Sequence, residues 1–566
     1  MIAQLKSVSS KSLATIVGAS LVALLSGCAT IPMTGSVQLG PDISNASVND
    51  FLYFSPYDPP VGGSIFDILQ GFLSAGTGPQ NDYAVARKYL ANDLKTTWLP
   101  NNQVVVVDAL PDVTVDAANN RASVLVHPSA FVDEGGRLSV ASSESSNEYN
   151  FGFVREAGQW RIAKAPNLTI VSRPVFDVVF KNFALFFFDS QNRYLVPDVR
   201  WFPSRASTAT RLVNGLIAGP DSWLQSAVKN PMPKGTKLAI DAVTISDGIA
   251  SVDLNSKVLA TSSAVKGEIQ AQLQATLGQV AGVRSVQISV DRNVQVFPQY
   301  SAWDLPSVSL TPVVMTKTSL ARLSGTSITA IDGTHTLIQN LKPHDFALTS
   351  EGNWVAVSTS QGLYQASLVG FGAEPKLVDP RTNLLSPVFD RQGWLWSVSS
   401  STSPNIKFFD QSGSSGSLLA PDFSGQKILS FAVSPEGARL AVVVSTPLGH
   451  EVWLLGIVRS RTGRPVALSG KLVVASQATN PSSISWLDDT TLGILSQSPA
   501  GWSQPSEFFI GGFESAVTGM QGLENFIGNK VAGTRFALNT AGDLMQFRSS
   551  NWSRVQSGVI KVHFAN

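Results

Sequence analysis

Cysteine is almost missing from this chain: one thiol, Cys28, in 566 residues. No intramolecular disulfide can form, so packing and hydrogen bonding must hold the fold. Histidine is nearly as scarce. The five are His127, His335, His344, His450 and His563, and none stands at metal-ligand spacing from another His or from Cys28. Charge is thin, at 14% of residues, where about a quarter is usual. Lys and Arg (41) balance Asp and Glu (40) for a net +1, which leaves no basic footprint for nucleic acid. Long apolar runs are also lacking. The N-terminal run covers residues 13–25, short of the roughly 20 residues a spanning helix needs. The next candidate, 175–188, is cut by Asp177, Lys181 and Asn182 and stops at Asp189, so it reads as a pair of buried strands. There is no G-x-S-x-G elbow, no P-loop and no G-x-G-x-x-G behind a strand. Asp488-Asp489 reads as a turn. No catalytic, cofactor-binding or metal residue is assigned, and a non-enzyme is the expectation.

What is present begins with an address. Lys6 and Lys11 precede the apolar run, and small residues follow it, the order of a secretory signal. The run ends in Leu25-Ser26-Gly27-Cys28, which matches the bacterial lipobox. Small residues at Ser26 and Gly27 admit the peptidase, and the Cys28 thiol takes a diacylglycerol as a thioether. N-acylation of the new terminus follows. One acyl chain holds a protein marginally and two hold it stably. Residues 1–27 are therefore expected to be a lipoprotein signal peptide. Cys28 would then anchor the mature chain to the plasma membrane on its extracytoplasmic face. Residues 28–60 read as a tether, broken by Pro32, Pro41, Pro56, Pro59 and Pro60.

The remaining length exceeds one hydrophobic core, so several domains are expected. Hydrophobic residues make up 43%, with 45 Gly and 31 Pro and a mean hydropathy of +0.12. Together these favour a β-rich chain with many turns. In 61–170, Ser64-x-x-Asp67 forms a capping-box pattern ahead of Ile65, Ile68, Leu69 and Phe72 at helical spacing. A second helix is predicted over 82–92, then strands over 104–107, 123–126, 148–154 and 159–163. The helices-then-sheet order, with Trp98-Leu99-Pro100 and Gly158-Gln159-Trp160-Arg161-Ile162, is similar to the NTF2-like α+β cone. His127 reads as a strand-end residue.

The second domain covers 175–300. Ser190-Gln191-Asn192 marks a hairpin. Helices are predicted over 207–218 and 264–277, with strands over 238–240, 249–254 and 283–290. Gly219, Gly235 and Gly248 suit turns, and Asp253 is expected to bond a nearby turn. Leu216-x-x-Gly219-Pro220, Leu224, Pro233-x-Gly235-Thr236, Asp247-Gly248 and Val252-Asp253-Leu254 resemble the GerMN domain, an α+β module of exported bacterial proteins.

In 305–566 five strand–turn–strand units recur. They centre on Gly352, Gly393, Gly437, Asp489 and Gly542, the first intervals being 41 and 44 residues. This is blade spacing for a β-propeller of five to seven blades. Residues 320–337 add or close a blade. Trp354, Trp394, Trp396 and Trp486 read as packing between blades, and Ser-Gly-rich 411–417 as a loop.

Taken whole, the lipobox, residues 76–90 (Gly76 to Leu90), the GerMN pattern and the propeller resemble the actinobacterial LpqB lipoprotein family. The resemblance implies a partner: the extracellular domain of an MtrB-type sensor histidine kinase. It also implies modulation of MtrA–MtrB signalling in cell-envelope homeostasis and division. The residues themselves leave an alternative open, a cell-wall or glycan-binding lipoprotein or a propeller hydrolase.

Overall fold

The computed structural model describes residues 56–565, apart from 110, 143, 205–206, 301–308, 310, 371–373, 419, 475–478, 530 and 532. The expected signal peptide, the lipobox pattern and most of the expected tether lie outside the described residues. Leu25, Ser26, Gly27 and Cys28 therefore receive no structural account.

The first module opens with the helix Ile65–Ala75. The Ser64 N–H donates to Asp67 Oδ2 (2.8 Å) and the Asp67 N–H to Ser64 Oγ (3.3 Å). The capping box is thus closed in both directions, with Asp in place of the usual Glu or Gln. Ile65, Ile68, Leu69 and Phe72 pack with Trp98, Phe151 and Ile162. Two four-stranded sheets follow. One runs Leu138–Val140, Pro128–Asp133, Gln103–Val107, Thr169–Ser172, and the other runs Asp112–Asp116, Arg121–Val126, Asn147–Glu156, Gln159–Lys164.

The helix expected over 82–92 is two short ones, Ala84–Lys88 and Asn92–Thr97. The break has a tertiary cause. The Ile162 N–H donates to Tyr89 O (2.9 Å) and the Ala91 N–H to Ile162 O (2.8 Å). A sheet strand thus captures the backbone that a continuous helix would have kept. Residues 175–188 are likewise not two strands. The helix Arg173–Val179 starts with Pro174 in its first turn and leads into the strand Phe180–Phe188. Proline suits a helix start because its missing N–H would be unpaired there anyway. Phe176 and Phe180, four apart, stack at 4.9 Å.

That strand pairs with Leu195–Pro203 in a nine-pair antiparallel hairpin. The middle module continues with the helix Thr208–Ala218 and the strands Thr244–Ser246, Ile249–Leu254, Ser285–Val290 and Asn293–Gln295. Ile249–Leu254 and Ser285–Val290 pair in parallel, and the helix Ser263–Leu277 makes the crossover such pairing demands. The strand expected over 238–240 is a single bridge, Leu238 to Leu254. Ile240 there is 45% exposed, so no buried face fixes a register.

The C-terminal part is a β-propeller with six blades among the described residues. Blade 1 comprises Pro312–Met315, Leu320–Ser324 and Ser327–Ala330, and takes its innermost strand from the chain's end, Lys561–Phe564. Residues 320–337 thus add a blade, and the C-terminal strand closes the ring. Blades 2 to 6 begin at Asp345–Leu348, Val388–Phe389, Lys427–Val433, Pro481–Trp486 and Arg535–Leu538. The repeat glycines sit in their first turns at φ +72° (Gly352), +83° (Gly393), +75° (Gly437) and +77° (Gly542), a region costly for a Cβ. Blade 5 has Asp488 instead, whose carboxylate accepts from the Thr490 N–H at 2.7 Å. Residues 411–417 are only half a loop. Ser415–Leu418 is a strand pairing with Ile406–Phe409, and glycine at 416 leaves the room that the Phe408 ring fills.

Trp354, Trp396 and Trp486 pack between blades, whereas the ring partner of Trp394 belongs to its own blade. Trp396 is fully buried in a core that joins blades 3 and 4. The Trp486 indole N–H donates across blades to Ala432 O at 3.1 Å. Trp354 lies against Phe389 and Leu395 of the next blade. Trp394 meets Phe408 of its own blade edge-on at 5.4 Å. Trp396→Ala should lower stability by about 3–5 kcal/mol, read by urea unfolding. Leu448→Ala, at a site 92% exposed, should change it by less than about 0.5 kcal/mol. Equal costs would refute the blade-packing assignment.

Candidate functional site

Among the described residues no group of three or more His, Cys, Asp or Glu is placed to hold a metal. The histidines stay scattered. His335 Nδ1 lies 2.9 Å from Thr318 O and His450 Nδ1 lies 2.9 Å from Pro481 O. His563 Nε2 lies 2.8 Å from Asp345 Oδ1, tying the closing strand to blade 2. Burial pushes the Asp345 carboxyl up, but the charge and hydrogen bond of His563, with Lys561 and Ser386, outweigh it and hold it below its ordinary value. Gly219, Gly235 and Gly248 take φ of +95°, +89° and +79° in turns. Asp253 accepts from the Arg292 N–H at 3.0 Å, the turn bond expected of it. A shallow apolar recess in the first module is lined by Phe72, Trp98, Phe151 and Ile170.

What the structure does build is a junction. All nine residues of Leu195–Pro203 are buried, although the strand carries Asp198, Arg200 and Trp201. The Trp201 backbone N–H donates to Gly136 O of the first module at 2.7 Å. Its indole N–H donates to Gly511 O of blade 5 at 2.6 Å. Its ring packs against Phe176 (5.0 Å) and Phe513 (6.3 Å). One tryptophan therefore touches all three modules. Beside it, the Arg200 guanidinium donates to Asp198 Oδ2 at 2.6 Å, with side-chain exposures of 3% and 7%. The Asp221 N–H reaches the same oxygen at 2.8 Å. Asp221 in turn faces Arg137 of the first module at 3.5 Å. Burial pushes the Asp198 carboxyl up to about 6, against the pull of Arg200. The same burial lowers the pKa of Arg200.

Apolar packing continues the junction. One core runs from Leu212, Leu216 and Ile269 of the middle module into Val443, Leu454 and Ile484 of blades 4 and 5. Ser469 Oγ donates to Trp223 O at 2.5 Å. None of this was assigned from sequence. The available signal was Asp198 and Arg200 at i, i+2 in an otherwise apolar strand, which puts opposite charges on one face.

Models of protein families match in three places. Residues 58–177 match "Lipoprotein LpqB, N-terminal domain". Residues 184–295 match "Sporulation and spore germination", and 318–561 match "Lipoprotein LpqB beta-propeller domain". Relatives named Lipoprotein LpqB include one from Cutibacterium acnes, 25% identical over 95% of this chain and 97% of the relative. Another is from Bifidobacterium longum, 24% identical over 84% and 83%. A third is from Streptomyces coelicolor, 24% identical over 85% and 86%. A solved nidogen/laminin complex chain superposes with a TM-score of 0.34 at 12% identity, over 45% of this chain and 98% of that one.

The raised carboxyl of Asp198 gives a pH test of the junction. The folded chain holds its proton up to about pH 6, whereas an unfolded Asp releases it near 4. The contribution to stability is therefore full below about pH 4 and lost as pH rises through about 6, on the order of 3 kcal/mol in all. Urea unfolding from pH 4 to 7 should show wild type losing that much relative to D198N. Parallel curves for the two proteins would remove the buried-acid account. With matching models for all three modules and relatives spanning nearly its whole length, the chain belongs to the LpqB lipoprotein family, whose name implies a membrane anchor.

Proposed function

We propose that the mature chain begins at Cys28, lipidated on sulfur and amine, and stands on the extracytoplasmic face of the plasma membrane. In this reading it works as a non-catalytic accessory protein that modulates an MtrB-type sensor histidine kinase. The module bounds are 28–60 for the tether, 61–170 for an NTF2-like domain, 175–300 for the GerMN domain and 305–566 for the propeller. The observation that carries the reading is the junction at Trp201. Three modules fixed to one another offer a partner a surface of constant geometry, which suits recognition better than turnover. A modulator must bind two states of its partner with different affinity. Confinement to the same membrane raises the effective concentration for that binding.

The anchor is tested by Cys28→Ala. The variant should remain uncleaved or leave the membrane fraction, and should lose radioactive palmitate. Labelling and fractionation like wild type would rule the anchor out. The kinase partnership is tested by crosslinking in intact cells followed by purification of either protein. Recovery of the kinase ectodomain with this chain is expected. No recovery in either direction defeats the proposal.

A further inference from the structure

The last part of the expected tether is a strap fastened to the first module. The Tyr89 hydroxyl donates to Tyr57 O at 2.8 Å. Lys88 Nζ meets the Asp58 carboxylate at 2.7 Å. The Gly62 N–H donates to Gln159 Oε1 at 2.7 Å. Pro56 stands against Gly78, where a Cβ would lie 3.1 Å from the Pro56 Cγ. The Gly63 N–H closes a turn onto Pro60 O at 3.2 Å. A Cβ at Gly63 would lie 3.5 Å from the Asp67 Cβ, so the turn that carries Val61 folds onto the first turn of the helix Ile65–Ala75.

The backbone is pinned, yet its large apolar side chains stay in water. Tyr57 is 89% and Val61 92% exposed. Phe66, in the first turn of the helix, is 43% exposed, while Ile65, Ile68, Leu69 and Phe72 fill the buried face. Single exposed apolar residues need no explanation. Three of them gather here where the chain from Cys28 enters the fold. In sequence the strap is preceded by Phe51-Leu52-Tyr53-Phe54, which extends the same apolar and aromatic character toward the anchor.

We propose that this corner of the first module is a membrane-contact surface, with Tyr57, Val61 and Phe66 resting in the headgroup region of the bilayer that holds Cys28. The contact rests on the Cys28 anchor of the proposed function. The strap is the first described part of the fold that the chain reaches after that anchor. Residues 28–55 span at most about 100 Å even fully extended, and such confinement lets a small contact be occupied. A protein partner fits less well. The three side chains offer roughly half of the about 800 Å² per partner that a standard protein interface buries. Tyrosine is also a side chain enriched where bilayers meet water. The charges of the strap and the helix's first turn are Asp58, answered by Lys88, and Asp67, which accepts from the Ser64 N–H. They hold no attraction for an anionic headgroup, so the contact is apolar.

The experiment uses the full-length lipoprotein, processed in cells and reconstituted into phosphatidylcholine vesicles. Cys28 is the single cysteine and its acylation leaves no free thiol. Val61→Cys and, separately, Leu448→Cys therefore each give one site for an environment-sensitive fluorophore. Lipid carrying a headgroup nitroxide reports contact by quenching. The label at position 61 should be quenched at least about threefold, and the label at position 448 by less than about a tenth. Adding Tyr57→Ser and Phe66→Ser should remove at least about half of the quenching at 61. Should that double variant melt lower, Tyr57→Ser alone carries the test with the same expected direction. Phosphatidylglycerol in the vesicles should leave the quenching unchanged. Equal quenching at 61 and 448 overturns the proposal. So does quenching that survives loss of Tyr57 and Phe66, which would mean that the label itself seeks the lipid, or quenching that requires phosphatidylglycerol. A label at 61 that is shielded from water but not quenched marks a protein occupant and overturns it too. Failure of the anchor is read separately. Wild type that does not float with vesicles defeats the Cys28 reading and this contact together, whereas a chain that floats with position 61 unquenched defeats this contact alone.

Discussion

The architecture depends on a single buried hairpin, and within it on the two hydrogen bonds of Trp201. Its backbone N–H and its indole N–H each find a carbonyl of a different module. Neither donor has water to fall back on, because the residue is only 8% exposed. Opening either interface would strand a buried donor at a cost of about 1–3 kcal/mol, on top of the apolar area re-exposed. The propeller and the first module are therefore not independent beads on a linker. The middle module is their common wall, and its core is continuous with that of blades 4 and 5.

Such a junction explains how a chain with a single cysteine, and with no metal-holding cluster among the described residues, can hold three modules in one arrangement. Domains joined only by polar, modest interfaces move by default. Here the interface is apolar and is completed by directional bonds. Rigidity of this sort favours recognition. A binding surface assembled from two modules keeps its affinity only if the modules do not have to be ordered at the moment of binding.

Local patterns in the sequence were a good guide wherever the cause was local. The capping box at Ser64 and Asp67, the hairpin around Gln191 and the turn glycines Gly352, Gly393 and Gly437 all depend on neighbours a few residues away. Each is found where its spacing places it. The pattern misled where a distant strand decided the outcome. The helix through Tyr89 and Leu90 is interrupted by Ile162, more than seventy residues further on. The Val175 segment looked strand-like because its apolar residues are dense, yet Pro174 and the Phe176–Phe180 stack favour a helical turn. The junction itself stayed hidden because charged side chains such as Asp198 and Arg200 are ordinarily exposed in a strand. Only burial from both sides by other modules reveals them as paired charges.

The buried ion pairs bear on how the modules find their correct seating. Arg459 with Asp390 (2.6 Å) and Arg439 with Glu436 (2.6 Å) are almost fully enclosed. Both lie in or beside the first turns of blades 3 and 4, against which the middle module packs. Replacing such a pair with apolar residues is often neutral, so net stability does not account for them. Breaking one, however, leaves a buried charge alone at about 3–5 kcal/mol. The Arg459 guanidinium also donates to Gly437 O and Gly463 O, so its position is fixed by blade 4 while its charge is answered by blade 3. A slipped arrangement of the two blades would break the carboxylate contact and keep the burial. The pair therefore penalises wrong seatings far more than it rewards the right one. The same asymmetry applies at Asp198 and Arg200, where the hairpin is clasped between the first module and blade 5.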